Sequence, residues 1–306
     1  MNEVPIVFYE RICRKLSDKS MSACRNLSGC IATIVADVFD NTALHCVAMR
    51  NGQFRDDEYY SYFKEIEGNF VKFKKTSRMH HFFTAVTVSA DSGDYSIDPA
   101  ALEDLSANTK GRRVFLHLKT SNMSKKFEKC FDSIQFCSWL NVTADIPRIP
   151  QSLIQKKTLN KVEFTVGSKI SDEAINQLVE LLSQKQFYEA VFHISPESTL
   201  KKLIAKWREN ASEMAGKRVW CKENVTLHRD LGFTKCTKSE LRSFGLYCPE
   251  LKSQLSKAPP FSLWSLFSYF RRAHSNALIL KSTGGGAAIY CLINPKSYYK
   301  TLFVLV

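Results

Sequence analysis

The sequence predicts a mixed α/β chain in three consecutive regions: a helical unit over residues 1–50, an irregular array of strand–helix units over residues 51–230, and a basic β-meander over residues 231–306. Three observations predict this order. Short apolar segments recur at near-constant spacing through the middle of the chain. Amphipathic stretches with helix-start signals fill the gaps between them. Beyond the proline pair at 259–260, three apolar runs alternate with turn residues.

At the N-terminus, VPIVFYERICRKLSDKSMSACRNLSGCIATIVADVF reads as three short helices. Pro5 suits a helix start, and Phe8, Ile12 and Leu16 follow at i, i+4, i+8. Met21, Cys24 and Leu27 mark a second helix, and Ile31, Ile34 and Val38 a third. A unit of about 45 residues buries too little surface to stand alone. It must lean on the rest of the chain or on a partner.

The middle carries the repeat. Val86 and Val88 in FFTAVTV precede Val114 and Leu116 in RRVFLHL by 28 residues. Phe131, Ile134 and Phe136 in FDSIQF are followed 28 residues later by Leu159, Val162 and Phe164 in LNKVEF. After 28 more come Phe187, Ala190 and Phe192 in FYEAVF. From Leu116 to Phe136 the step is 20. An apolar-x-x-apolar-x-apolar strand at roughly 20–29 residues resembles a leucine-rich-repeat-like array. The asparagine such repeats carry three residues further on is missing, its places being held by Trp139, Gly167 and Ser195. A fourth step reaches Arg218 and Trp220, where the pattern fades. An ordinary α/β layout would alternate strands and helices as well, without stacked repeats.

Helices are predicted between these strands. Asp98-Pro99 opens one ahead of Leu102 and Leu105. Pro150 opens a shorter one through Leu153 and Ile154. Ile175, Leu178, Val179 and Leu182 form one stripe of a 3.6-residue helix, and Leu200, Leu203, Ile204 and Trp207 another, with Ser195 as N-cap and Pro196 at its first position. A single strand–helix unit cannot bury its apolar side alone, whereas stacked neighbours share a core.

In the last region, NALILKS, AAIYCLI and KTLFVLV are strand candidates, joined by Gly284-Gly285-Gly286 and by a turn opening at Asn294-Pro295. A strand follows the glycine triplet, which favours a hairpin loop over a phosphate cradle. Upstream, FSLWSLFSYFRRAH mixes Phe261, Trp264, Phe267 and Phe270 with Arg271 and Arg272. Buried aromatic packing explains this stretch, and so does stacking of single-stranded bases beside basic side chains.

Charge is unevenly placed. Residues 1–200 carry 25 Lys+Arg against 24 Asp+Glu, and residues 201–306 carry 18 against 6. A basic end attracts an acidic partner, whether nucleic acid, membrane surface or acidic protein, or else serves only as a solvated face. With 44% hydrophobic residues the composition is that of a globular chain. No run of about 18 apolar residues predicts a membrane span. The first 15 residues lack a basic start and a small-residue cleavage site, so no signal peptide is expected. Ten scattered cysteines then read as reduced core thiols in a cytoplasmic or nuclear protein.

No catalytic constellation emerges. G-x-S-x-G, H-E-x-x-H, G-x-x-x-x-G-K-[ST] and G-x-G-x-x-G are all absent. His80-His81 has no ligand partner at metal spacing. Cys221, His228, Cys236 and Cys248 could gather around zinc only without the usual paired ligands. DSGDYS, with Ser92 and Ser96, looks like a phosphodegron, although a polar loop before Pro99 accounts for it. No cofactor and no metal are expected, and the chain is read as a non-enzyme.

One resemblance bears on function. The Val4-Pro5 start, the FYERICRKL helix, and LSG ahead of a third helix resemble an F-box. In layout the chain is similar to a nematode-type family of F-box and F-box-associated-like proteins, with N-terminal helices, an α/β middle and a β-rich tail. The resemblance implies docking of the first region on a Skp-type adaptor of a cullin–RING ubiquitin ligase, through Val4, Pro5, Ile6, Tyr9 and Ile34. The array and tail would hold a protein substrate. Cys30-Ile31-Ala32 stands where the third helix of an F-box carries an early aromatic, commonly Trp. The rival reading is a nucleic-acid-binding protein acting through residues 201–306, with Arg271 and Arg272 contacting the acidic partner.

Overall fold

A computed structural model describes residue 24 and residues 29–55, 62–66, 69–73, 80–89, 97–119, 125–143, 148–165, 170–193, 197–222, 231–237, 239–240, 277–282, 287–293 and 301–305. Helix α1 spans Cys30–Asn41, and strands β1 to β5 span Thr42–Arg50, Gln53–Arg55, Tyr62–Ile66, Asn69–Phe73 and His80–Ser89. Then follow α2 (Pro99–Thr109), β6 (Arg113–Lys119), α3 (Lys125–Asp132), β7 (Cys137–Val142), α4 (Gln151–Gln155) and β8 (Lys161–Phe164). The next elements are α5 (Asp172–Ser183), β9 (Glu189–Phe192), α6 (Glu197–Glu209) and β10 (Arg218–Cys221). The tail contributes β11 (Thr234–Lys235), β12 (Ala277–Lys281), β13 (Ala288–Ile293) and β14 (Thr301–Leu305).

All fourteen strands among the described residues belong to one sheet. Its middle is a run of parallel strands, β1-β5-β6-β7-β8-β9-β10, in which β5 to β10 lie side by side in sequence order. The antiparallel pair β3 and β4 flanks β1. On the far side β14 pairs with β10, then β13, β12 and β11 follow antiparallel, so the tail meander extends the same sheet.

Strand order decides where the helices go. Crossovers between parallel strands are right-handed. When every crossover steps the same way along the sheet, right-handedness puts every helix on one face. The core agrees. Val86, Leu116, Leu140, Val162, Ala190 and Val219 from the strands share one buried cluster with Leu105, Phe127, Leu153, Leu178, Leu203 and Trp207 from the helices. The alternate residues of the same strands lie outside that cluster. Strand β6 alternates between buried and accessible positions along its length, whereas β8, β9 and β10 are buried at nearly every position and so are covered on both faces.

Local chemistry fixes the helices. Asp98 accepts from Ala100 N at 2.9 Å and Pro99 occupies the first turn of α2. Ser171 accepts from Ala174 N at 3.0 Å ahead of α5, whose first turn carries Asp172 and Glu173 against the helix dipole. The predicted stripe of α5 is inside: Ile175, Leu178 and Leu182 are buried, and Val179 packs against the core. Leu153 and Ile154 are buried on α4, as are Leu200, Leu203, Ile204 and Trp207 on α6.

The structure corrects the repeat register in three places. FDSIQF is no strand. Phe131 lies in α3, where Phe127, Cys130 and Phe131 form a helical stripe, and Phe136 precedes β7 and is 50% exposed. Leu140 takes the inward place expected of Phe136. Val86 pairs with Leu116 and not with Val114, and Ala190 pairs with Val219 and not with Arg218. Matched inward positions Val86, Leu116, Leu140, Val162, Ala190 and Val219 are therefore separated by 30, 24, 22, 28 and 29 residues. Only the step from LNKVEF to FYEAVF keeps the expected 28, and it stacks Phe164 on Phe192 with centroids 5.3 Å apart. Within residues 1–50, Thr42–Arg50 is strand and the helix ends at Asn41.

Candidate functional site

The side chains facing away from the helices form ordered rows across β5 to β10, half-buried from β5 to β7 and mostly buried from β8 to β10. One row runs Ala85, Phe115, Trp139, Lys161, Glu189, Arg218, each paired in register with the next. The row above it runs Thr87, His117, Asn141, Glu163, Val191, Trp220. A third row lies where the strands end, and backbone bonds continue the ladder into it: Thr143 N to Leu118 O, Thr165 N to Val142 O, His193 N to Phe164 O and Lys222 N to Phe192 O, all between 2.8 and 3.0 Å.

Charge on the first two rows is compensated internally. Lys161 Nζ lies 3.2 Å from Glu163 and 3.7 Å from Glu189, and 4.5 Å from the centroid of the Trp139 ring. Glu189 also accepts from Trp220 Nε1 at 2.8 Å and lies 3.5 Å from Arg218 Nη2. Arg218 is 1% exposed and stacks over Tyr188 at 5.3 Å. Burial, with Glu189 adding to it, pushes the Tyr188 phenol up to about 12. His193 Nε2 lies 2.6 Å from Glu163 Oε1, which places the ring proton on Nε2 when the carboxylate is ionised. Burial, reinforced by Lys119, lowers the pKa of His117, and Glu163 opposes the shift.

This arrangement is suited to recognition. Thr165 Oγ1 lies 2.6 Å from Asn141 Oδ1 and 3.1 Å from Val142 O, so its proton is committed to one of those acceptors and not to His193. Phe115 and Trp139 meet edge to face with centroids 5.8 Å apart. Among the described residues, His117 Nε2, Trp139 Nε1 and one Arg218 Nη are buried without a hydrogen-bond partner. Such atoms cost about 1–3 kcal/mol each, and native folds keep few of them.

Most of the predicted site lies elsewhere. Val4, Pro5, Ile6 and Tyr9 fall outside the described residues, as do Arg271 and Arg272. Ile34 sits on α1, half-buried beside the buried Ala32 and Val35. Ser92 and Ser96, and His228 and Cys248 of the zinc set, are also outside the described residues, while Cys221 is buried in β10 and Cys236 is half-buried after β11. Among the described residues no group of three or more His, Cys, Asp or Glu is placed to hold a metal, and no helix is long and apolar enough to cross a membrane. Burial drives the thiols of Cys130 and Cys137 up to about 12 and that of Cys291 higher still, which makes them poor nucleophiles.

The basic C-terminal third proves largely self-satisfied where it is described. Lys202 pairs with Asp172, Lys206 with Glu209 at 2.9 Å and Lys281 with Glu240 at 2.6 Å. Arg208 donates to Leu231 O at 3.0 Å, and Lys217 and Arg218 are buried. Sequence reasoning missed the three rows, although their signal was present. The residues between the apolar strand positions read F-x-H-x-K, W-x-N-x-T, K-x-E-x-T, E-x-V-x-H and R-x-W-x-K, a polar and aromatic alternation that becomes meaningful once the register is known.

Taken by its fold, the molecule is a mixed α/β protein built on one large sheet with helices along one face of its parallel run. No family model, curated protein or solved structure matches the chain.

Proposed function

We propose that this chain is a non-enzymatic protein-interaction scaffold. Its leucine-rich-repeat-like array over residues 51–230 and the basic meander over 231–306 hold a protein substrate. Its F-box-like residues 1–50 dock a Skp-type adaptor, which makes it a substrate-recognition component of a Skp–cullin–F-box ubiquitin ligase in the cytoplasm or nucleus. One observation carries the scaffold reading. The parallel strands run in sequence order with helices on one face, and the opposite face carries aligned rows of aromatic and polar side chains that stay half-buried on β5 to β7. A parallel sheet ordinarily covers both faces, and stacked repeats use the remaining face for binding. The compensated pairs there supply orientation and specificity more than raw affinity.

The adaptor role rests on the Val4-Pro5 helix and is tested directly. The purified full chain should co-precipitate a purified Skp-type adaptor, and Pro5→Ala combined with Tyr9→Ala should weaken that capture by about tenfold or more, a loss of about 1.4 kcal/mol. Absent capture, or capture untouched by the double substitution, rejects adaptor docking and leaves a scaffold without a ligase.

A further inference from the structure

We draw no further inference here: the strongest candidate, the half-buried patch of Ala85, Phe115, His117, Trp139 and Asn141 on the face of β5 to β7 turned away from the helices, carries nothing beyond the scaffold reading already given, because nothing in the structure shows what covers it.

Discussion

At the scale of single residues, two lysines, Lys156 half-buried and Lys217 buried, tie one strand–helix unit to the one before it. Lys156 Nζ lies 2.8 Å from Phe131 O, 2.7 Å from Asp132 O and 2.7 Å from Ile134 O, which closes the carbonyl end of α3 from the following unit. Lys217 does the same with Gln184 O and Phe187 O at 2.7 and 2.5 Å, and burial lowers its pKa to about 8. Lys156→Met leaves three carbonyls short of a donor, and we expect it to cost about 2–3 kcal/mol in urea denaturation, with Lys156→Arg recovering part. No sequence pattern marks these lysines, because their partners lie 22–33 residues upstream and meet them only after stacking. His117 adds a pH effect. Its pKa is lowered in the folded chain from an ordinary 6.5 by burial first and Lys119 second. Below about pH 6.5 the unfolded chain therefore takes up a proton that the folded chain resists, so stability is lost as the pH falls from there through the folded value. The drop in Tm between about pH 7.5 and about pH 5.5 should be smaller in His117→Gln than in the parent. An equal drop would show that His117 does not contribute.

At the scale of elements, helices with a cap signal or a clear apolar stripe were legible in the sequence. Asp98-Pro99 announces α2 and the apolar stripe announces α5, and in the structure Asp98 and Ser171 accept from the first free N–H groups of those helices. Ser171→Ala should cost about 1 kcal/mol, measured by urea denaturation, whereas a value near zero would mean water replaces the hydroxyl without loss. Helix α3 was hidden because its stripe of Phe127, Cys130 and Phe131 runs straight into Ile134 and Phe136, whose alternation imitates a strand. Register was hidden because the units differ in length, and a fixed period of 28 cannot track steps of 22–30. Two substitutions separate the sequence register from the structural one. Phe136→Ser, at a 50% exposed position, should change stability by less than about 0.5 kcal/mol. Leu140→Ala, fully buried between Leu116 and Val162, should cost about 2–5 kcal/mol. The reverse order in chemical denaturation would restore FDSIQF as the rung.

At the scale of the whole molecule, the three strands of the tail were legible as separate apolar runs, but their attachment was not. A meander usually reads as a self-contained module, and nothing in KTLFVLV names its partner in the sheet. The structure inserts β14 between β10 and β13, so the last strand in sequence is an interior strand of the sheet. All of Thr301–Leu305 is buried, Gly216 N donates to Leu305 O at 2.7 Å, and Leu305 N donates to Lys217 O at 3.0 Å. Four apolar side chains, at about 1.5–3 kcal/mol each, place about 6–12 kcal/mol on this one strand, comparable to the net stability of a typical domain. The loss should nonetheless be local, because β14 pairs only with β10 and β13 in the sheet. In a chain ending at Lys300, β10, β12 and β13 lose the strand that joins them, while β1, β5 and β6 keep every partner they had. Hydrogen exchange should then show amides of β12 and β13 unprotected and those of β5 and β6 still slow. Continued protection of β13 in the shortened chain would mean that the meander stands without the array. Loss of protection throughout would mean that the sheet folds as one cooperative body, with no independence of its units.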